Sequence, residues 1–458
     1  MSQDSIDKDS AALYKASFSI TKVCNPYIAD TVQLIDSAFH FKNQSDTGSQ
    51  ISYNWQFGDN TSSKEKDPVH SYNKPGIYQV SLIAYYKTIP ADTVTRTVRI
   101  IIGQRELRSP LSYTQAIDIE EASGKDLMIL ASSFNQYGDS LDYVLIRTDS
   151  LLKERWRKNI LSPGIRLNSI KKVSPNEFIL AGNYSRGNTH QFALSKVDGN
   201  GNGIWTKYIT NLEGQNVYVN KTSDGGLITI GDAITNNQSY CVVVKCDGNG
   251  TELWRKSFRN PLGHPHLSDA QNIVETATGY VFAGLKGSLL SYEIVITQLD
   301  NNGSISKQNS TPLDYTGTIY EAGIAAAGNS YMVNLVNTSH AFRFRSDLSV
   351  ASLLRFGEAS LNWVIAKDNH FFFAEGGHQY AFVSMSNENG EQQWQTVIDH
   401  AIMLSCTTRS SGTTRYCKKV IYSTSGDVVA LSQGPNDYNS FNGSSVYIER
   451  FTIDGVPL

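Results

Sequence analysis

Asp198-Gly199-Asn200-Gly201-Asn202-Gly203 has the oxygen-rich spacing of the first half of a calcium loop, but the twelfth position, where a bidentate glutamate would close the shell, is Ile209. That run is better read as a hairpin turn. His264 and His266 stand one residue apart with Asp269 behind them, and two imidazoles so placed bind a metal only if another loop brings a third donor. They are kept as candidate binding residues and no metal site is assigned. Asp59 and His70 have the types of an acid and base pair. Glu120 and Glu121 are adjacent on one predicted strand, point to opposite faces and cannot flank a single bond. No nucleophile elbow, zinc-protease helix or phosphate loop occurs. The expectation is a protein with no catalytic residues and no cofactor.

The five cysteines are too few for a disulfide framework and lack zinc-ligand spacing. Cys406 and Cys417 bracket a polar segment that could fold back on itself, which predicts a disulfide between them. Cys241 and Cys246 flank one strand-like run, and a separation of five places them on opposite faces as buried thiols. Cys24 is read as free.

The elements that would position these groups are strands. Tyr (24), Phe (18) and Gly (35) are abundant among many Asn and Ser, a composition of strands and tight turns. At 458 residues the chain exceeds one ordinary core. A net charge of −3, without long runs of either sign, gives no electrostatic footprint for nucleic acid. Apolar stretches are strand-sized, well short of the roughly 20 residues that span a bilayer as a helix. Residues 1–14 read as a flexible polar tether.

Over residues 15–103, Trp55-Gln56-Phe57-Gly58-Asp59, then Pro68, His70 and Tyr72, then Gly76, Tyr78, Val80 and Leu82 alternate apolar and polar positions between turn residues. This pattern resembles the PKD domain, an immunoglobulin-like sandwich, and the resemblance implies an extracellular spacer or adhesion module. It also implies that Asp59 and His70 are turn and core-edge residues.

From residue 104 the chain repeats. Asp149, Asp198 and Asp247 are 49 residues apart, and each is followed seven residues later by Trp156, Trp205 or Trp254. Weaker copies bring the count to seven units of about four strands, so the predicted fold is all-β, with a seven-bladed β-propeller over residues 104–458. The tryptophans are read as packing between blades. The sialidase Asp-box has a different spacing, and quinoprotein repeats would need a cofactor ligand set that is missing. The pattern resembles secreted Bacteroidetes-type propellers, which implies an exported protein without assigning a reaction.

The functional expectation is a non-catalytic, surface-exposed binding or scaffold protein. It would be an accessory subunit of an outer-membrane complex, held to the membrane only through an N-terminal lipid anchor and facing a protein partner. The alternative is a glycan-binding accessory protein, and the third reading a propeller hydrolase or lyase. Tyr438 and Phe441, in an Asn- and aromatic-rich loop, are the expected interface anchors. The last unit lacks its fourth strand, so the segment from Arg105 to Leu111 is expected to supply it.

Overall fold

The computed structural model describes all residues except 1–10, 13, 22–31, 36, 103–104, 108–112, 135–139, 161–163, 187–188, 210–213, 236–237, 260–271, 289–290, 314–318, 320, 337, 357–359, 378–380, 399–414, 434–445 and 452–458. The chain divides into two compact units, with the change-over at Gln104 and Arg105.

The first unit is a sandwich. One sheet joins Phe18–Thr21, Ala38–Asn43 and Val69–Ser71; the other runs Val32–Leu34, Ile89–Ile101, Gly76–Tyr86, Ile51–Gln56 and Ser62–Ser63. Alternation along these strands sends Phe39, Phe41, Trp55, Val80 and Leu82 into a core that is essentially dry. Trp55 packs edge-on to Phe18, its ring centre 5.0 Å away, and donates its indole N–H to the carbonyl of Glu65 at 3.0 Å.

The second unit is seven four-stranded antiparallel sheets. Six come from contiguous chain: blade one is Tyr113–Glu121, Leu127–Phe134, Ser140–Thr148 and Glu154–Ile160, and the pattern continues to blade six, which ends with Gln392–Ile398. Blade seven takes Arg415–Tyr422, Val428–Gln433 and Val446–Phe451, and its outermost strand is Arg105–Leu107. Leu107 pairs with Val446, Glu106 with Tyr447 and Arg105 with Ile448, so the ring is closed by the start of the unit as the missing fourth strand required. The innermost strands neighbour one another in sequence order, and that of blade seven returns to that of blade one. Apolar clusters lie between consecutive blades, as with Leu130 and Leu145 of blade one against Phe178 and Leu180 of blade two, or Phe372 and Val383 of blade six against Val420 and Ala430 of blade seven. Burial on both faces is what lets each narrow sheet be stable.

The thiols divide. Cys246 faces blade two and Cys241 faces blade four, on opposite sides of one sheet as their spacing predicts. Cys417 is a free, fully buried thiol. On the innermost strand of blade seven the Cys417 side chain points into the seam with blade six, where its Sγ lies 3.7 Å from the carbonyl of Leu431 and 3.8 Å from that of Lys419. Burial pushes the thiol pKa far up. Cys406 lies outside the described residues.

Candidate functional site

The repeat motif is a set of fasteners. In the hairpins between third and fourth strands of blades one to four and of blade six, one side chain caps two backbone amides. Asp198 Oδ1 accepts from Asn200 and Asn202 at 2.9 and 2.8 Å, and Asp247, Asp300 and Asn387 do the same in their blades. The calcium-like run therefore points its carboxylate inward at its own turn. The glycine of that turn adopts a positive φ and receives the tryptophan of the preceding blade. A Cβ on Gly250, at φ 75°, would lie 2.6 Å from the Trp205 ring, and one on Gly303, at φ 77°, 2.7 Å from the Trp254 ring. Trp254 also donates its indole N–H to the carbonyl of Asn301 at 3.1 Å. The lysine two residues on joins in: Lys158 Nζ reaches Asn202 Oδ1 at 2.6 Å and Lys207 Nζ reaches Thr251 Oγ1 at 3.1 Å, each on the next blade. Within blades, the cation preceding the turn pairs with an acid near the second strand, as Lys245 does with Asp224 at 3.0 Å. Hydrogen bonds, first from Thr222, hold the Asp224 carboxyl down at about 2.

The axis is built differently. The innermost strands of blades one, two, three, six and seven each carry a β-bulge, and the residue just after it is Asp118, Ser169, Tyr218, Trp363 and Lys419 respectively. These bulges re-aim polar side chains along the seams. Asp118 accepts the backbone N–H of Ile170 at 2.9 Å, Ser169 that of Val219 at 3.2 Å, Asn272 donates to the carbonyl of Ile324 at 3.2 Å, and Asn362 to that of Cys417 at 2.8 Å. The circle ends in an ion pair of Lys419 with Asp118 across the seam of blades seven and one, both residues buried. Burial nevertheless raises the Asp118 pKa above the ordinary carboxylate range, against the pull of Lys419.

Above that pair, side chains from non-adjacent blades meet. Lys419 Nζ lies 4.3 Å from the centre of the Trp363 ring. Trp363 of blade six is 6.3 Å from the ring of Tyr218 of blade three, and the Tyr218 hydroxyl contacts both oxygens of Glu321, just before the first strand of blade five, at 3.3 and 3.4 Å. Burial first, then Glu321, pushes the Tyr218 phenol well above its usual pKa, so it is a hydrogen-bond donor at every physiological pH. Lys418, the bulge residue of blade seven, faces Glu321 and has its ammonium pKa lowered by burial.

Glu120 and Glu121 diverge as expected: Glu120 takes Lys171 of blade two at 2.7 Å, and Glu121 accepts from the amide and hydroxyl of Thr424 of blade seven at 2.6 and 2.9 Å. Asp59 and His70 are joined at 2.8 Å, and His70 stacks on Phe57 with ring centres 4.1 Å apart, so this pair serves the sandwich core. Burial opposes ionisation of Asp59, but hydrogen bonds from Thr61 and His70 keep its pKa below the usual range. Tyr331 and Phe372 are buried strand residues. Tyr438, Phe441, His264 and His266 lie outside the described residues. Among the described residues no group of three or more His, Cys, Asp or Glu could hold a metal ion. The axial residues were missed in the sequence because no two blades place the same residue type there; the one available signal was the displaced alternation that marks a bulge.

Residues 29–101 match the PKD-domain family. The PKD domain thus accounts for the sandwich. Solved structures similar to the chain include a protein of unknown function from Bacteroides caccae, 12% identical, covering 63% of this chain and 94% of that one with a TM-score of 0.39. A quinonprotein alcohol dehydrogenase-like protein from Bacteroides thetaiotaomicron is 10% identical, covering 82% and 96% with a TM-score of 0.40. Sqt1 of Saccharomyces cerevisiae is 10% identical, covering 75% of this chain and 97% of that one with a TM-score of 0.44. The fold assignment rests on the strand pairing described above.

Proposed function

We propose that the chain is a non-catalytic binding or scaffold protein displayed outside the cell, with the PKD domain as spacer and the propeller as platform. The observation that carries this reading is that the chemistry-bearing residues of the repeat, its Asp, Trp and Lys, are engaged in capping turns and fastening blades. The axial carboxylates are likewise engaged: Asp118 with Lys419 and a backbone amide, Glu120 with Lys171, and Glu321 with Tyr218. None of these arrangements sets two carboxyls on either side of an open cleft, as a glycoside hydrolase of the two-carboxylate kind requires. What varies between blades is the set of connections at the two faces, and loops on a rigid scaffold are where recognition is built. A PKD domain fits an extracellular setting, and among the described residues no helix is long and apolar enough to cross a membrane. In the finer form of this proposal the chain is a lipid-anchored accessory subunit of an outer-membrane complex.

The test is parallel capture. Immobilised protein is incubated with detergent-solubilised envelope of the source cells and, separately, applied to a polysaccharide array, with product release from the array polysaccharides followed over time. A stoichiometric envelope protein supports the scaffold reading. Retention on the array without a protein partner shifts it to glycan binding, and time-dependent cleavage overturns it.

A further inference from the structure

Asp118 and Lys419 hold more chemistry than an ion pair uses. Lys419 Nζ is in contact with Asp118 Oδ1, and the two residues are only 8% and 2% exposed. Four blades contribute to their surroundings. Ile170 of blade two donates its amide to Asp118 Oδ2 at 2.9 Å, and Trp363 of blade six places its ring centre 4.3 Å from the Lys419 nitrogen. One carboxyl oxygen is thus fixed by a backbone N–H while the other faces a lysine nitrogen covered by an aromatic ring. An ammonium has three N–H groups to satisfy. Among the described residues this one meets one carboxylate and one ring. Burial raises the Asp118 pKa against the pull of Lys419, and the Glu120 carboxylate, two residues on along the same strand face, adds to the rise. Charge separation in this site is therefore costly.

Passing one proton from nitrogen to oxygen discharges both groups and leaves an amine against a carboxylic acid, the two reactants of an amide. We propose that they condense, so that Lys419 and Asp118 form an intramolecular amide crosslink. Lys419 Nζ attacks Asp118 Cγ, the N–C bond forms and the C–Oδ1 bond breaks. Oδ1 leaves as water, carrying the proton of the acid and one from the nitrogen, and the balance needs no co-reactant. Oδ2 keeps the Ile170 amide throughout, first as the oxyanion of the tetrahedral intermediate and then as the carbonyl oxygen of the product. The product has one N–H where the ammonium had three, and the Trp363 ring face is in place to receive it. Groups held in reactive contact reach effective concentrations of about 10⁵–10⁸ M, which is what lets an unactivated acid react. The crosslink ties the first strand of blade one to the first strand of blade seven. It closes covalently the ring that Arg105–Leu107 closes by hydrogen bonds. This goes beyond the binding reading and does not depend on it.

Mass spectrometry of the denatured whole chain tests it, on freshly purified protein and again after days at neutral pH. At least half of the molecules should become lighter than the sequence mass by one water. Tryptic digestion should then leave Lys419 uncut and yield a branched peptide joining the segment of Asp118 to that of Lys419. Asp118→Leu with Lys419→Met lacks both reacting groups and should keep its full mass, a reading that holds whether or not the variant folds. Lys419→Arg should also keep its full mass and migrate differently from the parent on a denaturing gel, because its chain is not looped. The rival loss of water is ring closure of Asp118 onto the Ile119 nitrogen, which lies 2.7 Å from Oδ1 and would give no branched peptide. Full mass at both times, loss of water without the branched peptide, or loss of water from the double variant overturns the proposal.

Discussion

At the rim of the propeller, blades two, three and four receive the preceding blade in one way, each with a positive-φ glycine under a tryptophan ring. At the axis, the residues after the bulges are an aspartate, a serine, a tyrosine, a tryptophan and a lysine, no two alike. The difference follows from geometry. Blade edges diverge outward, so each rim contact is local and can be copied from repeat to repeat. At the axis all seven innermost strands approach one another, and side chains filling one shared space must be complementary instead of identical. Repetition thus marks what holds the ring together, and its failure marks where the molecule is individual.

The largest effect expected is at the axis. Asp118→Ala would leave Lys419 buried without its counter-charge and the Ile170 amide without its acceptor, which should cost about 3–5 kcal/mol in urea unfolding. Replacing both ions, Asp118→Leu with Lys419→Met, should recover most of that loss, because an apolar pair carries no desolvation penalty. If the double variant is as unstable as the single one, the axis depends on this pair for more than charge balance, and the contrast with the rim deepens.

At the rim, Gly250→Ala places a methyl group against the Trp205 ring at a left-handed backbone position and should cost about 3 kcal/mol. Gly203→Ala, with no atom within 4 Å of the added carbon, is the control and should change stability by less than about 0.5 kcal/mol. Equal effects of the two would mean that the glycine serves its own turn only and that the tryptophan is incidental.

These two positions also show what the sequence could reveal. The fasteners were legible because they recur: the 49-residue spacing of Asp149, Asp198 and Asp247 with their tryptophans announced the blades, and the absent fourth strand of the last unit announced closure by the segment at Arg105. The axis was not, because Tyr218 meets Trp363 and Glu321 across distances of more than 100 residues, and no local pattern encodes that meeting. The cysteines mark the same boundary. For Cys241 and Cys246 the period of one strand decided their faces, whereas the state of Cys417 depended on a neighbouring blade.

Between rim and axis lies Glu375, on the second strand of blade six, fully buried and accepting hydrogen bonds from Ser384 and, at 2.7 Å, from Gln395. Burial raises its pKa from 4.5 to about 7, against those two hydrogen bonds. Below pH 4.5 the group is protonated in folded and unfolded chains alike. As pH rises from 4.5 towards 7 the unfolded chain loses its proton first, so stability falls across that window and levels off above it. The full loss corresponds to about 3 kcal/mol, of which about 2 is expected after relaxation of the seam. Glu375→Gln should flatten the urea midpoint between pH 4.5 and 8 and exceed the parent at pH 8. A parent midpoint that is already flat would place Glu375 with the paired carboxylates of the axis.

The smallest effect asks whether the seam of blades five and six belongs with the apolar or the polar contacts. Asn334 lies on the second strand of blade five with no exposed surface, and neither its Nδ2 nor its Oδ1 has a partner among the described residues. By alternation it shares a face with Met332, which packs in a cluster with Ala325, Leu361 and Phe373. An amide in such surroundings carries the desolvation of two polar atoms without return, and leucine has the same side-chain skeleton branched at Cγ, with methyl groups in place of the amide oxygen and nitrogen. Asn334→Leu should therefore raise stability by about 1 kcal/mol, read as a higher urea midpoint at unchanged slope. A lower midpoint would mean that a buried water joins the amide to its neighbours. That outcome would extend the polar stitching of the axis outward along this seam and move the boundary between the two kinds of contact.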